Sequence, residues 1–280
     1  MIATETQLEH DDLEAGEEAA PRKPSGQILR HELQEAMDAL DRSPRRLFFS
    51  GFSAGLEIGF SLFLMATVIY LGRGQWSEAA TRILVANMYS FGFILVVLGR
   101  SELFTEQTSL AVMPVLSGQA SIASVARLWI LVFLGNQLGA ALFAMLATIV
   151  GPRVDAFDLD ALGTISRNVV DHAPLDMLFS GMLAGWLMGL LSWLVAAGRD
   201  TISQIVIVWL IATAIGLGRL HHAVLGSAEV LGGMFAGTGA SLREFGVFLF
   251  FTTLGNAVGG PLFVALLKST HSKPEPQGAV

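Results

Sequence analysis

The chain has 280 residues, of which 52% are hydrophobic and only 15% are charged, and its formal net charge is −7. Soluble domains carry about a quarter charged residues, so this composition excludes an ordinary soluble enzyme, and the negative charge excludes a basic nucleic-acid-binding surface. The absence of cysteine excludes disulfides, thiolate catalysis and cysteine-based metal sites. We therefore predict an all-α membrane protein with several spans.

The first part of the chain is polar. Residues 1–25 are acidic and include Pro21 and Pro24, which predicts a disordered cytoplasmic tail. Residues 26–46 are predicted to form an amphipathic helix and a linker, because apolar residues recur there at helical spacing. This helix is expected to lie on the membrane surface or against a neighbouring subunit. The acidic start has no apolar stretch of the signal-peptide kind, so we expect no signal peptide.

Long apolar runs over residues 47–268 predict a transport domain of six spans. The second and fifth spans are too long for one straight crossing and are interrupted by polar residues, so we predict that both helices are broken. The link at 151–173 is interpreted as solvated surface, and residues 269–280 as a short cytoplasmic tail. The six spans are expected near residues 47–72, 79–117, 122–150, 174–197, 201–237 and 242–268.

Landmarks of the first three spans return in the last three. The pattern F-S-G-x-x-A-G-x-x-x-G begins at Phe49 and again at Phe179, and L-G-N-x-x-G-x-x-L-F begins at Leu134 and again at Leu254. Because each half has an odd number of spans, the halves must have opposite orientations, which predicts two inverted three-helix repeats with a site at the membrane midplane. The excess of basic residues on the side of the termini places both termini in the cytoplasm.

Three stretches together resemble the formate/nitrite transporter family. They are residues 89–93 with 99–106, the residues around His222, and residues 255–260. The resemblance covers residues 47–268 and is closest to an uncharacterised bacterial subgroup of the family. It implies an aquaporin-like protomer that assembles as a homopentamer in the inner (plasma) membrane. It also implies transport of formate, nitrite, hydrosulfide or a related small anion or its acid, commonly coupled to protons.

The resemblance assigns pore positions residue by residue. His222 falls on the central pore histidine of the family, and Thr105 falls on the threonine that hydrogen-bonds it. The positions of the constrictions and of the pore-lining residues in the second span are taken by Leu103, Phe104, Ile215, Tyr89 and Phe93.

Some residues depart from the formate branch of the family. His221 stands where that branch has a glutamate, and Arg100 and Arg219 stand where it has glycines. We expect the two arginines to form internal ion pairs, because an unpaired buried charge is expensive, and the alternative is attraction of an anion. The possible partners are Glu57, Glu102, Glu106 and Glu229. Of these, Glu57 and Glu229 are also candidate pore or proton sites, and Glu102 is a possible pore residue.

A histidine between apolar constrictions is suited to weak-acid transport. Desolvating a small anion costs several kcal/mol, whereas the protonated acid crosses an apolar neck more easily. The histidine could donate a proton or favour one protonation state by hydrogen bonding. The alternative for His222, and at least as strong a one for His221, is a structural role. Asn136 and Asn256 are interpreted as structural residues that bind carbonyls at the break of the opposite half.

These observations predict a transporter or channel and not an enzyme, because no nucleophile–base set or cofactor motif is recognised. We expect no cofactor, no metal and no nucleic-acid partner, and we expect membrane lipid, the small anion and further copies of the chain as partners. The first alternative is a passive aquaporin-like pore for a small neutral solute. The second is a membrane scaffold with a closed pore. Strong pH dependence of the flux distinguishes the first function from the passive pore.

Overall fold

The computed structural model describes residues 23–271, and these residues are almost entirely helical. Most of the predicted acidic tail at 1–25 and the part of the predicted C-terminal tail after residue 271 lie outside the described residues. The helices are α1 (Ser25–Asp41), α2 (Pro44–Gly72), α3 (Glu78–Gly99), α4 (Phe104–Leu110), α5 (Val112–Leu116), α6 (Ile122–Arg153), α7 (Leu159–Val170), α8 (Pro174–Ala197), α9 (Thr201–Leu217), α10 (Ala223–Phe235) and α11 (Leu242–His271).

Five of these helices, α2, α3, α6, α8 and α11, are long and apolar enough to cross a membrane. The predicted fifth span instead consists of two shorter apolar helices, α9 and α10. Their lengths of about 25 Å and 20 Å, at 1.5 Å per residue, are each below the hydrocarbon thickness of a bilayer, which is about 30 Å. The chain therefore has the all-helical, apolar structure of a membrane protein.

The repeated glycine motifs set the packing of two helix pairs, α2 with α6 and α8 with α11. A Cβ atom at Gly55 would lie 2.3 Å from the backbone oxygen of Asn136, and a Cβ atom at Gly185 would lie 2.5 Å from the backbone oxygen of Asn256. Both distances are below van der Waals contact, so only glycine permits these approaches. The glycines therefore bring each asparagine close to the neighbouring helix.

Two helix ends interrupt the paths of the second and fifth predicted spans. Helix α3 ends at Gly99 and α4 begins at Phe104, while α9 ends at Leu217 and α10 begins at Ala223. The short, non-helical segments between them expose backbone groups that need partners when they are buried.

The link at 151–173 is not the solvated surface that we predicted. Residues 159–170 form α7, which packs against α10, and Phe157, Leu162 and Ile165 are buried. These apolar side chains lie on one face of a short helix, and burying them stabilises the structure. The acidic residues of the link hid this short pattern in the sequence.

Helix α1 is docked on its own chain, a placement that the sequence analysis did not consider. Lys23 Nζ donates hydrogen bonds to the carbonyl oxygens of Ala196 and Gly198, at 2.7 and 3.1 Å. The buried carboxylate of Glu32 accepts from Ser192 Oγ on α8 at 2.9–3.0 Å. Helix α1 is thus held across one end of the helical bundle by both polar and apolar contacts.

Candidate pore site

The gap between α3 and α4 is held by a single buried asparagine of α6. The backbone N–H of Phe104 donates to Asn136 Oδ1 at 2.8 Å. Asn136 Nδ2 donates to the carbonyl oxygens of Gly51 at 2.7 Å and Glu102 at 2.9 Å. The amide therefore satisfies both a donor and two acceptors that the interrupted helix would otherwise leave unpaired.

The gap between α9 and α10 has the same arrangement around Asn256 of α11. The backbone N–H of Ala223 donates to Asn256 Oδ1 at 2.8 Å, and Asn256 Nδ2 donates to the carbonyl oxygens of Gly181 and His221 at 2.8 and 3.1 Å. Each asparagine thus binds the gap of its own half of the sequence. The expectation that it reaches the gap of the opposite half was wrong.

Arg100 and Arg219 stand just after the ends of α3 and α9, in the left-handed region of backbone conformation. The backbone N–H of the following residue, Ser101 or Leu220, donates to the carbonyl oxygen five positions earlier in the chain, at 3.1 and 3.0 Å. This Schellman arrangement usually has glycine at the left-handed position. Both helices therefore end on a conformation that an arginine adopts at a cost.

Neither arginine forms the ion pairs predicted for it. Arg100 is exposed and lies 3.7 Å from Glu35 of α1, measured between Nη1 and Oε1. Arg219 is exposed and has no ion pair within residues 23–271. Both side chains stay in contact with water, so the desolvation cost that motivated the predicted pairing does not arise.

His222 is the N-cap residue of α10 and is 1% exposed. Its Nδ1 accepts from the backbone N–H groups of Val224 and Leu225 at 3.3 and 3.2 Å. Its Nε2 lies 2.7 Å from Thr105 Oγ1 of α4. Because Nδ1 is used as an acceptor, the neutral imidazole carries its hydrogen on Nε2 and donates to Thr105.

Two aromatic rings of α3 continue from this histidine. The ring of Phe93 is fully buried and meets the imidazole of His222 edge to face, with 5.0 Å between centroids. Tyr89, one turn earlier, stacks on Phe93 at 5.5 Å. Thr105, His222, Phe93 and Tyr89 therefore form one continuous row.

The remaining residues of the predicted constrictions are buried in different surroundings. Leu103 is the N-cap residue of α4 and is 1% exposed. Phe104 packs its ring against Phe133 and Trp129 of α6, at centroid distances of 4.9 and 6.0 Å. Ile215 is fully buried in α9, and its carbonyl oxygen is the one that closes the helix end before Arg219.

Two cavities open at opposite ends of α3. The first, here named the histidine cavity, has a volume of about 530 Å³ and reaches the start of α3. The second, here named the α1 cavity, has a volume of about 410 Å³ and reaches the end of α3. The histidine cavity is lined by residues that include Tyr89, Asn168, Arg219, His221, His222 and Glu229. The α1 cavity is lined by residues that include Lys23, Glu35, Arg42, Arg100, Glu102 and Glu106.

An apolar layer separates the two cavities along α3. Tyr89 lines the histidine cavity and Val96 lines the α1 cavity. Seven residues of α-helix span about 10 Å. Phe93 lies between them and is fully buried. Its ring therefore lies between the two cavities along α3.

Glu102 has a partner that the sequence did not indicate. Its carboxylate contacts Arg42 Nη1 and Gln107 Nε2. Arg42 lies in the linker between α1 and α2, so this ion pair ties the N-terminal segment to the first gap. Sixty positions separate the two residues, and the sequence has no periodic signal for a contact of that kind.

Glu57 pairs with hydroxyl groups and not with an arginine. Its Oε1 accepts from Ser53 Oγ at 2.8 Å and from Ser101 Oγ at 3.0 Å. The serine of the first gap is thereby bound to α2. Glu106 is half-buried on α4 and lines the α1 cavity.

His221 and Glu229 both line the histidine cavity, in different ways. Both ring nitrogens of His221 contact the protein, with Nε2 2.9 Å from the carbonyl oxygen of Val169 and Nδ1 2.5 Å from Ser180 Oγ. These contacts fix the ring, which supports a structural role. Glu229 is 8% exposed and has neither a hydrogen bond nor an ion pair with any residue of the described chain.

The histidines do not belong to a metal-binding cluster in the described part of the chain. Among residues 23–271, no group of three or more histidine, aspartate or glutamate side chains is placed to hold a metal ion. The ring nitrogens of His221 and His222 are engaged by other groups of the protein.

Residues 26–270 match the family model described as formate/nitrite transporter. The chain is 32% identical to the inner membrane protein YfdC of Escherichia coli (strain K12), over 94% of this chain and 85% of that protein. It is 26% identical to the formate channel FocA of the same strain, over 80% and 86% of the two chains.

A solved structure has the same fold. An ion channel of the FNT family superposes with a TM-score of 0.77 at 21% sequence identity, covering 88% of this chain and 99% of that one. At this level of identity the likeness concerns the fold.

Proposed function

Because the chain belongs to the formate/nitrite transporter family, we propose that it carries a small monovalent anion or its conjugate weak acid across a membrane, coupled to protons. The family predicted from the motifs is confirmed, and with it a transport protein in place of an enzyme. Formate, nitrite and hydrosulfide are the first candidates, because all three are small, carry one negative charge and have a neutral conjugate acid.

The observation that supports this proposal best is the contact between His222 and Thr105. The 2.7 Å contact lies beside the buried ring of Phe93, between two cavities that open at opposite ends of α3. A polar pair at this position offers hydrogen bonds to a small molecule at the narrowest point. We propose that Phe93 and Leu103 form the constriction, and that Phe104 supports it from α6.

The arrangement favours passage of the neutral acid. A small anion that enters the apolar layer loses its hydration at a cost of several kcal/mol, whereas the acid enters without that cost. When Nε2–H of His222 donates to Thr105 Oγ1, the hydroxyl hydrogen of Thr105 is able to donate to the passing molecule. In this proposal His222 acts by hydrogen bonding and favours one protonation state of the permeant, which is one of the two roles derived from the sequence.

We further propose that the chain consists of two inverted three-helix repeats, in the aquaporin-like manner. Asn136 and Asn256 make equivalent contacts in the two gaps, and Arg100 and Arg219 end equivalent helices. Leu103 and His222 are then equivalent N-cap residues. Two half-helices that begin near the midplane place their positive ends at the pathway, which favours an approaching anion.

The proposal also covers how the chain assembles and how it is oriented in the membrane. We propose a homopentamer with one pathway in each protomer, in the inner membrane, with both termini in the cytoplasm. A structure described as a pentameric formate channel with formate bound superposes with a TM-score of 0.70 at 23% identity, over 81% of this chain and 96% of that one. The orientation rests on the excess of basic residues on the side of the termini.

The proposal is tested by uptake into proteoliposomes. Purified protein is reconstituted, and uptake of formate, nitrite and hydrosulfide is measured at pH 5.5 and pH 7.5, beside protein-free vesicles. Saturable uptake that rises at the lower pH supports proton-linked transport. Uptake that is independent of pH, together with permeation of neutral solutes, supports a passive pore. Absence of any flux contradicts the proposal and favours a membrane scaffold.

A further inference from the structure

We propose that Glu229 exchanges a proton with the permeating acid in the histidine cavity, a role that rests on the proposed weak-acid transport. The sequence analysis left Glu229 between an ion pair and a pore position. Two observations support the proposal: the placement of the Glu229 side chain in the cavity and the hydrogen bonds of His222.

Glu229 lies on the same face of α10 as His222. Positions 222, 226 and 229 are spaced by four and seven residues, and all three line the histidine cavity. A Cβ atom at Gly226 would meet the ring of Phe248, at 2.5 Å. The ring of Phe248 thus packs against Gly226, and position 226 itself adds no side chain between His222 and Glu229. The two polar groups are about 10 Å apart along the helix.

The carboxyl group of Glu229 is nearly buried but faces the cavity. The residue is 8% exposed, and it has no hydrogen bond and no ion pair with another residue in the part of the chain that the structure describes. A polar side chain that is removed from water in this way is normally hydrogen-bonded. An unpartnered carboxyl at the wall of a cavity is therefore available to a molecule inside it.

The other charged groups of the cavity stand near its mouth, and two of them have protein partners. Arg73 pairs with Asp158, and Arg82 Nη2 donates to the carbonyl oxygen of Leu217 at 2.7 Å. Glu78, at the start of α3, and Arg219 are exposed. The cations therefore attract an anion at the entrance, whereas Glu229 lies deeper in the cavity.

Besides His222, the titratable side chains that line the cavity with Glu229 away from its mouth are Tyr89 of α3 and His221, and both ring nitrogens of His221 already contact the protein. Of the described lining residues, those from α2 and α7 are uncharged: Met65, Ile69, Gly72, Thr164, Ile165, Asn168 and Val169. From α6 and α11, Gln137 and Phe248 reach α10, and both are neutral. No second carboxylate or cation therefore competes for the proton beside Glu229 within the described residues.

His222 is poorly suited to carry the exchanged proton. Its Nδ1 already accepts from the backbone N–H groups of Val224 and Leu225. A second proton on the ring would remove both contacts and would place a positive charge at the positive end of α10. His222 can orient the molecule through Nε2 and Thr105, but Glu229 is the titratable group that can gain and lose a proton without breaking a contact.

The proposed step conserves atoms and charge. An anion that enters the cavity takes the proton of the Glu229 carboxyl group: the O–H bond of Glu229 breaks, and an O–H bond forms on the anion. The neutral acid then crosses the layer around Phe93. The carboxylate of Glu229 regains a proton from water that enters through the mouth of the cavity. The step matters because, at pH 6.5, roughly one molecule in 400 of a carboxylic acid with an ordinary pKa is neutral in solution.

The experiment compares Glu229→Gln, Glu229→Asp and the control Glu78→Gln in proteoliposomes. Glu78→Gln removes the same charge at the mouth of the same cavity. Uptake of radiolabelled formate and acidification of the lumen are recorded together from pH 5.5 to pH 7.5. We expect Glu229→Gln to lower formate uptake at pH 6.5 by at least about tenfold. We also expect the variant to lose the part of the pH dependence of uptake that comes from protonation of Glu229. Glu229→Asp is expected to keep the pH profile at a lower rate. Glu78→Gln is expected to keep the pH profile of the wild type, with uptake equal or slightly higher, because a negative charge has left the mouth of the cavity.

The outcomes separate this inference from the proposed function. If the wild type carries no formate, nitrite or hydrosulfide at any pH, the proposed function fails. If the wild type shows proton-linked uptake and Glu229→Gln has the same rate and pH profile, the proposed function stands and the role of Glu229 is wrong. Gel filtration and thermal stability of each variant establish that the uptake is that of folded protein. If Glu229→Gln and Glu229→Asp lose uptake to the same extent and both keep the pH profile of the wild type, proton exchange at Glu229 is contradicted.

Discussion

Arg100 and Arg219 have nearly the same backbone conformation, with φ of 54° at Arg100 and 53° at Arg219. Each residue follows a helix that ends before a gap, and each side chain is exposed at one of the two cavities. A left-handed conformation costs a residue with a Cβ atom about 1–2 kcal/mol, and glycine avoids this cost. The chain therefore keeps a cation at both positions at the expense of stability.

The first prediction concerns Arg219→Gly. The substitution is expected to stabilise the protein by about 1 kcal/mol, because glycine adopts the positive φ without steric strain. The same substitution is expected to reduce anion uptake at low ionic strength, because it removes an exposed cation from the histidine cavity. Thermal unfolding in detergent and proteoliposome uptake measure the two effects.

Arg219→Lys is the matched control for this prediction. Lysine keeps the positive charge and the strained conformation, so neither stability nor uptake should change in the direction seen with glycine. If glycine and lysine lower uptake equally, the charge at this position has no part in attracting the anion.

The second prediction concerns the asparagines that hold the two gaps. Asn136→Ala removes one acceptor and two donor contacts, at 2.7–2.9 Å, and leaves buried backbone groups of Phe104 and Glu102 unpaired. Each unpaired buried group costs about 1–3 kcal/mol, so we expect little folded protein. Asn256→Ala should behave in the same way. The half-buried Asn87, which accepts from Trp209, is the control, and Asn87→Ala should yield normal amounts of folded protein by gel filtration.

Much of the helical arrangement could be predicted, because the sequence patterns that indicate it are local or occur twice. The spans near 47–72 and 174–197 agree closely with α2 and α8, since long apolar runs define them. The glycine and asparagine motifs occur twice, which made their importance visible. The motif around His222 placed it near Thr105, because the two positions matched a known pattern.

Contacts between distant positions could not be predicted in this way. Arg42 binds Glu102 across sixty positions, whereas the sequence analysis named Glu102 only as a possible partner of Arg100 or Arg219. The exposure of Arg100 depends on how the helix end projects it into the α1 cavity, which no spacing of residues reveals. Helix α7 was missed because its apolar face is short and is flanked by acidic residues.

The third prediction separates two contributions of His222. His222→Asn should keep the cap of α10, because asparagine is also a good N-cap residue, and should therefore keep the stability of the wild type. It should alter the dependence of the flux on pH, because the imidazole that contacts Thr105 is gone. His222→Ala should show the same change in flux and, in addition, lose about 1 kcal/mol of stability from the missing cap, with assembly intact.

Uptake from pH 5.5 to pH 7.5 and thermal unfolding are measured for both variants, with Thr105→Val as a third. Valine has nearly the shape of threonine but lacks the hydroxyl group, so it removes the contact with His222 from the other side. A pH profile that is unchanged in His222→Asn and in Thr105→Val would refute a role of this pair in proton-linked flux.

The last prediction concerns the docking of α1. Burial raises the pKa of Glu32 from 4.5 to about 8, while the hydrogen bonds from Ser192 oppose this shift and the charge of Glu35 adds to it. Because the pKa is higher in the docked state, the stabilisation is complete below pH 4.5 and is lost as the pH rises through about 8. The free energy of docking should fall by up to about 1.4 kcal/mol per pH unit within this window.

The free energy of docking is measured by hydrogen exchange of the amides in residues 25–41, corrected for intrinsic rates. Glu32→Gln should remain protected at high pH, because the amide has no charge to desolvate. Glu35→Gln removes only the smallest cause of the shift, so it should keep the pH dependence of the wild type with its upper end at a slightly lower pH. If the amides of α1 are equally protected at pH 5 and pH 8.5 in the wild type, the burial of Glu32 does not control the docking of this helix.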